Sequence, residues 1–165
     1  MVSCRSKAVS DYAKLVPMNK LVFRFEPDDE WCGELFVFVA ADGFAGIGSA
    51  WFDKGSLRNF AESLRAFPLP TDKPARLEGG LGGNDTTPPQ TTINLSFEPH
   101  DVRGAVRVKA HLETTVWQDQ EKEHPKTLSA QFQVSYGDLG SFATAIDDMI
   151  AAGITGEAVL TASAN

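Results

Sequence analysis

Cysteine is scarce in this chain of 165 residues, where only Cys4 and Cys32 carry a thiol and neither belongs to a CxxC or Cys/His spacing. That excludes a disulfide framework and a cysteine-ligated zinc module, and it predicts two reduced thiols in a cytosolic protein. Long apolar runs are missing too. Nowhere does the sequence reach the roughly 18 consecutive apolar residues of a membrane-spanning helix, and the opening MVSCRSKAVSDYAKLVPMNK lacks the apolar stretch of a signal peptide. A cytoplasmic protein with no membrane partner is expected. Positive charge is in deficit, with 15 Lys and Arg against 22 Asp and Glu, for a formal charge of -7. A surface of that sign repels phosphate, so nucleic acid is not an expected ligand, while a basic protein partner is electrostatically permitted.

Catalytic motifs are also lacking. There is no GxSxG nucleophile elbow; Ser49 in GIGSAW mimics part of it. The glycine runs GFAGIG and GGLGG are not followed by GK[ST] and open no helix after a parallel strand, so they read as strand and loop glycines. His100, His111 and His124 share no short ligand spacing, and they read as solvated side chains. The acidic turn of Glu26, Asp28, Asp29 and Glu30 lacks the glycine and alternating ligands of a calcium loop. Asp147 and Asp148 are adjacent on a helix and point apart. No catalytic residue, metal or cofactor is assigned, and a non-enzyme is expected.

What the chain has is a strong hydrophobic pattern: 42% of it is hydrophobic and 22% charged, the balance of one globular domain. The expected division is a loosely ordered extension over residues 1–18, one domain over 19–160 and a frayed tail over 161–165. KLVFRFE alternates from Lys20 to Glu26, with Leu21, Phe23 and Phe25 on one face, and WCGELFVFVAA follows as a nearly unbroken apolar strand. Asp42-Gly43 signals a two-residue hairpin into Phe44 to Phe52, whose glycines at 46 and 48 indicate a bulge or the close approach of another backbone. A helix capped by Asp53 or Ser56 carries the stripe Leu57, Phe60, Ala61, Leu64. A loop over 71–90, interrupted by a short strand near Arg76 to Glu78, leads to strands through Ile93, through Val106 and through Leu128. The second helix runs from about Asp138 to Ala152 with Gly153 as its stop, and a short strand at Glu157 to Leu160 follows.

The two helices repeat one another. Laying Leu57 on Leu139 puts Phe60 on Phe142, Ala61 on Ala143 and Leu64 on Ile146. The fold expected is therefore α+β: a largely antiparallel sheet of about 6–8 strands with two helices on one face, built from two strand-strand-strand-helix halves. Whether the halves form one sheet or two is left open by the pattern. The halves differ on their outer faces. The later strands alternate with polar residues, whereas the first half carries Val22, Phe36 and Phe38 opposite the core, with Phe44 a further candidate and Glu34 fixing the parity. Packing of the 71–90 segment over those side chains is the favoured reading; an exposed contact patch is the alternative.

The succession of WCGELFVFV, a GxGSAWF strand, an LxxFAxxL helix, a GxVxVxxHL strand and a closing helix, spanning Lys20 to Gly153, resembles small bacterial proteins of uncharacterised function, related families of which are labelled immunity proteins of polymorphic toxin systems. That resemblance implies a cytosolic, non-catalytic protein that neutralises a toxin by binding it. The contact residues expected are Phe36 and Phe38 with the acidic loops of Asp28, Asp29, Glu30 and of Asp119, Glu121, Glu123, and the partner a basic protein, on a monomer or homodimer. Two other readings are open: a ligand or enzyme pocket between sheet and helices near Trp51, His100 and Trp117, and a self-associating structural protein.

Overall fold

A computed structural model describes residues 19–82, 89–116 and 124–162. The extension expected over 1–18 lies outside the described residues. Strands β1 (Lys20–Pro27), β2 (Cys32–Ala41) and β3 (Phe44–Asp53) are followed by helix α1 (Lys54–Ser63) and strand β4 (Ala75–Leu81). The same order then recurs as β5 (Gln90–Pro99), β6 (Ala105–Glu113), β7 (Thr127–Ser135), α2 (Tyr136–Ala151) and β8 (Gly156–Thr161). The fold is α+β and its sheets are antiparallel. No described helix is long and apolar enough to cross a membrane.

Local chemistry sets the element ends. Asp42 and Gly43 both take positive φ, 49° and 88°, as a type I′ turn between β2 and β3 requires. Asp53 caps α1 by accepting from the Ser56 amide, and Ser135 caps α2 by accepting from the Asp138 amide while Asp138 accepts from the Ser135 amide in return. The two caps occupy equivalent places in the halves with the roles of Asp and Ser exchanged. Gly153, at φ 68°, ends α2.

The strands form two sheets of four, in the orders β3-β2-β1-β8 and β4-β5-β6-β7. Each half thus gives up its last strand to the other. β8 pairs with β1, Lys20 opposite Thr161, and β4 pairs with β5, Ala75 opposite Phe97. This places β1 and β5 in sheet interiors, where Leu21, Phe23, Phe25, Ile93, Leu95 and Phe97 are all but inaccessible to water. A run of ring contacts, Phe142 to Phe23 at 5.0 Å, Phe23 to Phe60 at 6.1 Å and Phe60 to Phe97 at 5.7 Å, ties both helices to both inner strands.

The halves are related by an approximate two-fold, and two contacts mark its axis. Arg65 of the turn after α1 bonds Asp147 of α2 at 2.6 Å, and the two stand 82 residues apart, the separation that carries Leu57 to Leu139. Gly46 of β3 faces Leu128 of β7 at the same separation. Equivalent residues touch one another only near a two-fold axis. The axis therefore passes between the helices at one end and between β3 and β7 at the other.

Strand β3 lies across the inner face of the second sheet. Gly46 meets Leu128 of β7, Gly48 meets Leu112 of β6 and the Thr92 carbonyl of β5, and Ala50 and Phe52 meet Gly79 of β4. The close approach of another backbone expected at Gly46 and Gly48 is found at Gly48, where a Cβ would stand 2.8 Å from the Thr92 carbonyl oxygen, while Gly46 is met by the Leu128 side chain. A register shift at Gly79/Gly80 leaves Thr92 outside the ladder and turns it inward, where its hydroxyl donates to the Ser49 carbonyl at 2.6 Å. Gly48→Ala forces this contact apart, and we expect a loss of about 1–3 kcal/mol in urea unfolding. Gly140→Ala, on a helix position with open space around it, is expected to add about 0.5–1 kcal/mol. A neutral Gly48→Ala would show that the crossing is not the constraint claimed.

Candidate functional site

The outer face of the first sheet carries an apolar row across all four strands. Cross-strand register sets Val159 beside Val22, Val22 beside Phe38 and Phe38 beside Ile47. The next row is Glu157, Arg24, Phe36 and Ser49, and the one beyond it Glu26, Glu34 and Trp51. Ile47 is 56% exposed, Trp51 55% and Val159 48%, and Phe36 and Phe38 are half-buried. Apolar side chains that neighbour each other along a ladder form a continuous patch rather than scattered surface residues. The Lys20 ammonium stands over its apolar core, 5.6 Å from the Phe38 ring centroid.

The cover expected from residues 71–90 is not what their described part provides. β4 spends its hydrogen bonds on β5 and joins the other sheet, and only Gly80 and Leu81 approach the patch, beside Phe36 and Trp51. Phe44 does not belong to this face. It pairs with Ala41, whose parity is that of the core, and it projects past the sheet end, 70% exposed. Ile47, Trp51 and Val159 join the expected Phe36 and Phe38; the alternation of Ala45, Ile47, Ser49 and Trp51 was the available signal.

One end of the patch is acidic. Glu26 and Glu34 stand directly opposite on β1 and β2, and like charges in that position disfavour the ladder. Arg24 pairs with Glu26 at 3.0 Å. The adjoining turn adds Asp28, Asp29 and Glu30, all exposed, together with Trp31, 75% exposed. Asp29 organises that turn: its carboxylate accepts from the amides of Trp31 and Cys32 at 2.6 and 2.7 Å, and these bonds hold its pKa below the usual carboxylate value. Burial, reinforced by the Asp29 carboxylate, pushes the Cys32 thiol the other way. Asp28, Asp29 and Cys32 form the one group of three potential metal ligands close together among the described residues. With Asp29 committed to two amides and the thiol held protonated, the group reads as a turn.

Beside Trp51 the patch deepens into a groove of about 420 Å³ between the two sheets. Glu34, Phe36, Ile47, Ser49 and Trp51 form one side, and Gly80, Leu81 and Glu113 to Thr115 the other. The second wall is pinned. Gln90 donates to the Val116 carbonyl and accepts from the Val116 amide, while Thr114 and Lys126 exchange bonds across the loop mouth.

The second sheet presents a different outer face. Glu98 bonds Lys109 at 2.7 Å and Arg107 at 3.3 Å, which lowers its pKa, and His111 bonds Ser129. His100 Nδ1 accepts from Arg107, so Nε2 carries the ring proton and the Gln133 amide must turn its oxygen toward it. Trp51 and His100, expected to share a pocket between sheet and helices, are not brought together, and Trp117 lies outside the described residues. Core side chains of both sheets and both helices fill the space between them. Asp119, Glu121 and Glu123 also lie outside the described residues, so of the expected contact residues the structure unites Phe36, Phe38, Asp28, Asp29 and Glu30.

No family model, curated protein or solved structure matches this chain. The Asp29 turn can be tested on its own. A carboxylate whose folded pKa is depressed adds stability above its unfolded pKa of 3.8 and loses it as the pH falls through the lower folded value. Asp29→Ala is therefore expected to lower the urea midpoint at pH 7 and to differ less from the parent at about pH 3. An equal deficit at both pH values would rule out the ionised carboxylate as the turn's organiser.

Proposed function

We propose that this chain is a cytoplasmic, non-catalytic binding protein that holds a basic protein partner on the outer face of its first sheet, in the manner of an inhibitor or immunity protein. The observation that carries this reading is the apolar row Val159, Val22, Phe38, Ile47 running into an acidic end with two exposed tryptophans. Protein interfaces combine those parts: an apolar centre with aromatic anchors, which supplies most of the binding energy, and a charged margin, which steers the encounter. Five carboxylates, Glu26, Asp28, Asp29, Glu30 and Glu34, gather at that margin. The nearby cations are already engaged, Arg24 by Glu26 and Lys54 by the Asp29 carbonyl. A partner of opposite sign fits it.

Size supports a partner that reaches beyond the apolar rows. Four strands at about 4.8 Å spacing and about seven residues of length give a face of roughly 500 Å². A standard interface takes about 800 Å² from each side. The acidic turn and the groove beside Trp51 are the contiguous surface that would make up the difference.

The test is a complex reconstituted from two purified proteins, the partner being isolated from extract of the source cell. Phe38→Asp is expected to weaken binding at least about 100-fold, since a charge would be buried in the centre of the contact. Raising the salt from about 0.1 to 0.5 M is expected to slow association. His100→Ala, just beyond β5 and beside the second sheet, is expected to change neither. Equal binding by Phe38→Asp, or recovery of no partner by the parent protein, would overturn the reading; a free dimer abolished by Phe38→Asp would assign the face to a second copy.

A further inference from the structure

We infer that the chain ahead of β1, residues 1–18, packs back over the outer face of the first sheet and occupies it until the partner displaces it. The inference rests on the proposed function and adds its regulation. Where the chain enters the sheet limits where it can go. Asn19 is pinned at the sheet end: its side chain accepts from the Asp42 amide and its carbonyl from the Ala162 amide, both at 3.0 Å. Strand β1, into which it leads, is interior, with β2 on one side and β8 on the other. A segment that joins an interior strand and packs on its own sheet lies on one face or the other, and here the inner face is filled by the core. The outer face is the surface left, with Val22 and Phe38 side by side in the row next to Lys20.

The segment matches that face in kind and in order. Leu15, Val16 and Met18, nearest the sheet, are apolar, and Val9, Tyr12, Ala13 and Val16 have the i, i+3, i+4, i+7 spacing of one apolar stripe. Farther out come Arg5 and Lys7. The face runs the same way, from Val22 and Phe38 beside Lys20 to Glu26 and Glu34 and then to the turn of Asp28, Asp29 and Glu30. With Arg5, Lys7 and Lys14 against Asp11, the segment is positive in a chain of formal charge -7, and its cations fall where the carboxylates gather. Reach agrees. From Lys20 to Glu26 the strand covers about 20 Å. A stripe wound as a helix, at about 1.5 Å per residue, brings Lys7 and Arg5 about 18–21 Å from Asn19, level with the two glutamates. A helix about 10–12 Å across spans the two central strands, so it lies over Val22, Phe36 and Phe38 and leaves Trp51 and Val159 at its margins. A short tether supplies an effective concentration on the order of millimolar, so a contact too weak to hold a separate peptide is enough.

The probe is a nitroxide on Cys4 in the full ¹⁵N-labelled chain carrying Cys32→Ser, which leaves one thiol. The readout is the indole N–H signals of Trp31 and Trp51, each assigned by its disappearance in the Phe variant, and the amide signals of Phe36 and Phe38. These are expected to be broadened and to recover when ascorbate reduces the nitroxide, while the Lys109 and Gln131 amides, paired on the second sheet, keep their intensity. Val9→Asp/Tyr12→Asp is expected to abolish the broadening. On the reconstituted complex, that variant and a deletion of residues 2–17 are each expected to tighten partner binding about tenfold, the gain from freeing a face that is covered about nine-tenths of the time. No broadening of the first sheet, equal broadening of both sheets, broadening that survives Val9→Asp/Tyr12→Asp, or partner binding unchanged in both variants would each overturn the inference. Broadening of an unlabelled ¹⁵N chain by a spin-labelled ¹⁴N chain would overturn it too, by placing the segment on a second copy. Its failure is separable from that of the docking face. A partner that Phe38→Asp releases, held no more tightly by either variant, leaves the face standing without its cover; broadening at Trp51 in a chain that recovers no partner leaves the cover and removes the proposed function.

Discussion

The exchange of final strands between the halves is the constraint on which the rest of the structure depends. β1 and β5 are interior strands only because β8 and β4 come from the opposite half to flank them. Without that exchange each half would be a three-stranded sheet whose first strand, with its buried Leu21, Phe23 and Phe25 or Ile93, Leu95 and Phe97, ended on an open edge, an arrangement prone to pair with other chains. Lys20 opposite Thr161 joins the two ends of the described chain in one ladder. The chain therefore behaves as one unit despite its internal repeat, and closing a sheet over that sequence distance is entropically demanding.

The two-fold also dictates where the halves must differ. At a symmetry axis a residue meets its own counterpart, so a large side chain would meet an equally large one and a cation another cation. The axis contacts avoid this: glycine faces leucine at Gly46 and Leu128, and arginine faces aspartate at Arg65 and Asp147. Away from the axis no such demand exists, and Phe60 and Phe142 are kept identical in their common core. Divergence at axis positions is steric and electrostatic necessity, so it carries no information about a partner.

Local features were legible in the sequence because they are carried by neighbouring residues. The type I′ turn at Asp42-Gly43, the Gly153 stop and the helix stripes follow from φ preferences and a 3.6-residue period. The stripe starts α2 late, at about Asp138 rather than Tyr136. The alternation through Tyr136 masks the cap, which the Ser135–Asp138 box sets one turn earlier. Pairing was not legible, since nothing in the period of β4 or β8 says which sheet it will join. For that reason the 71–90 segment was expected over Phe36 and Phe38, and Ile47 and Trp51 were not grouped with them. Glu34 fixed the parity of β2 correctly, but which residues neighbour Phe38 depends on register between strands.

The second sheet shows what the same architecture looks like where the outer face simply meets water. Glu98 lies between Lys109 and Arg107, Gln133 and Arg107 hold His100, and Ser129 holds His111. Since the strand order and pairing of the two sheets are alike, nothing in the fold obliges the first sheet to place Phe38, Ile47 and Val159 in the equivalent layer, or to set Glu26 against Glu34. Each departure has a cost for the isolated chain, through exposed apolar area in one case and like-charge repulsion in the other. Both costs fall on one side of one sheet and would be relieved by the same event, the burial of that face against a surface with apolar side chains at its centre and positive charge at its edge. That joint relief is the physical ground on which the proposed docking face rests.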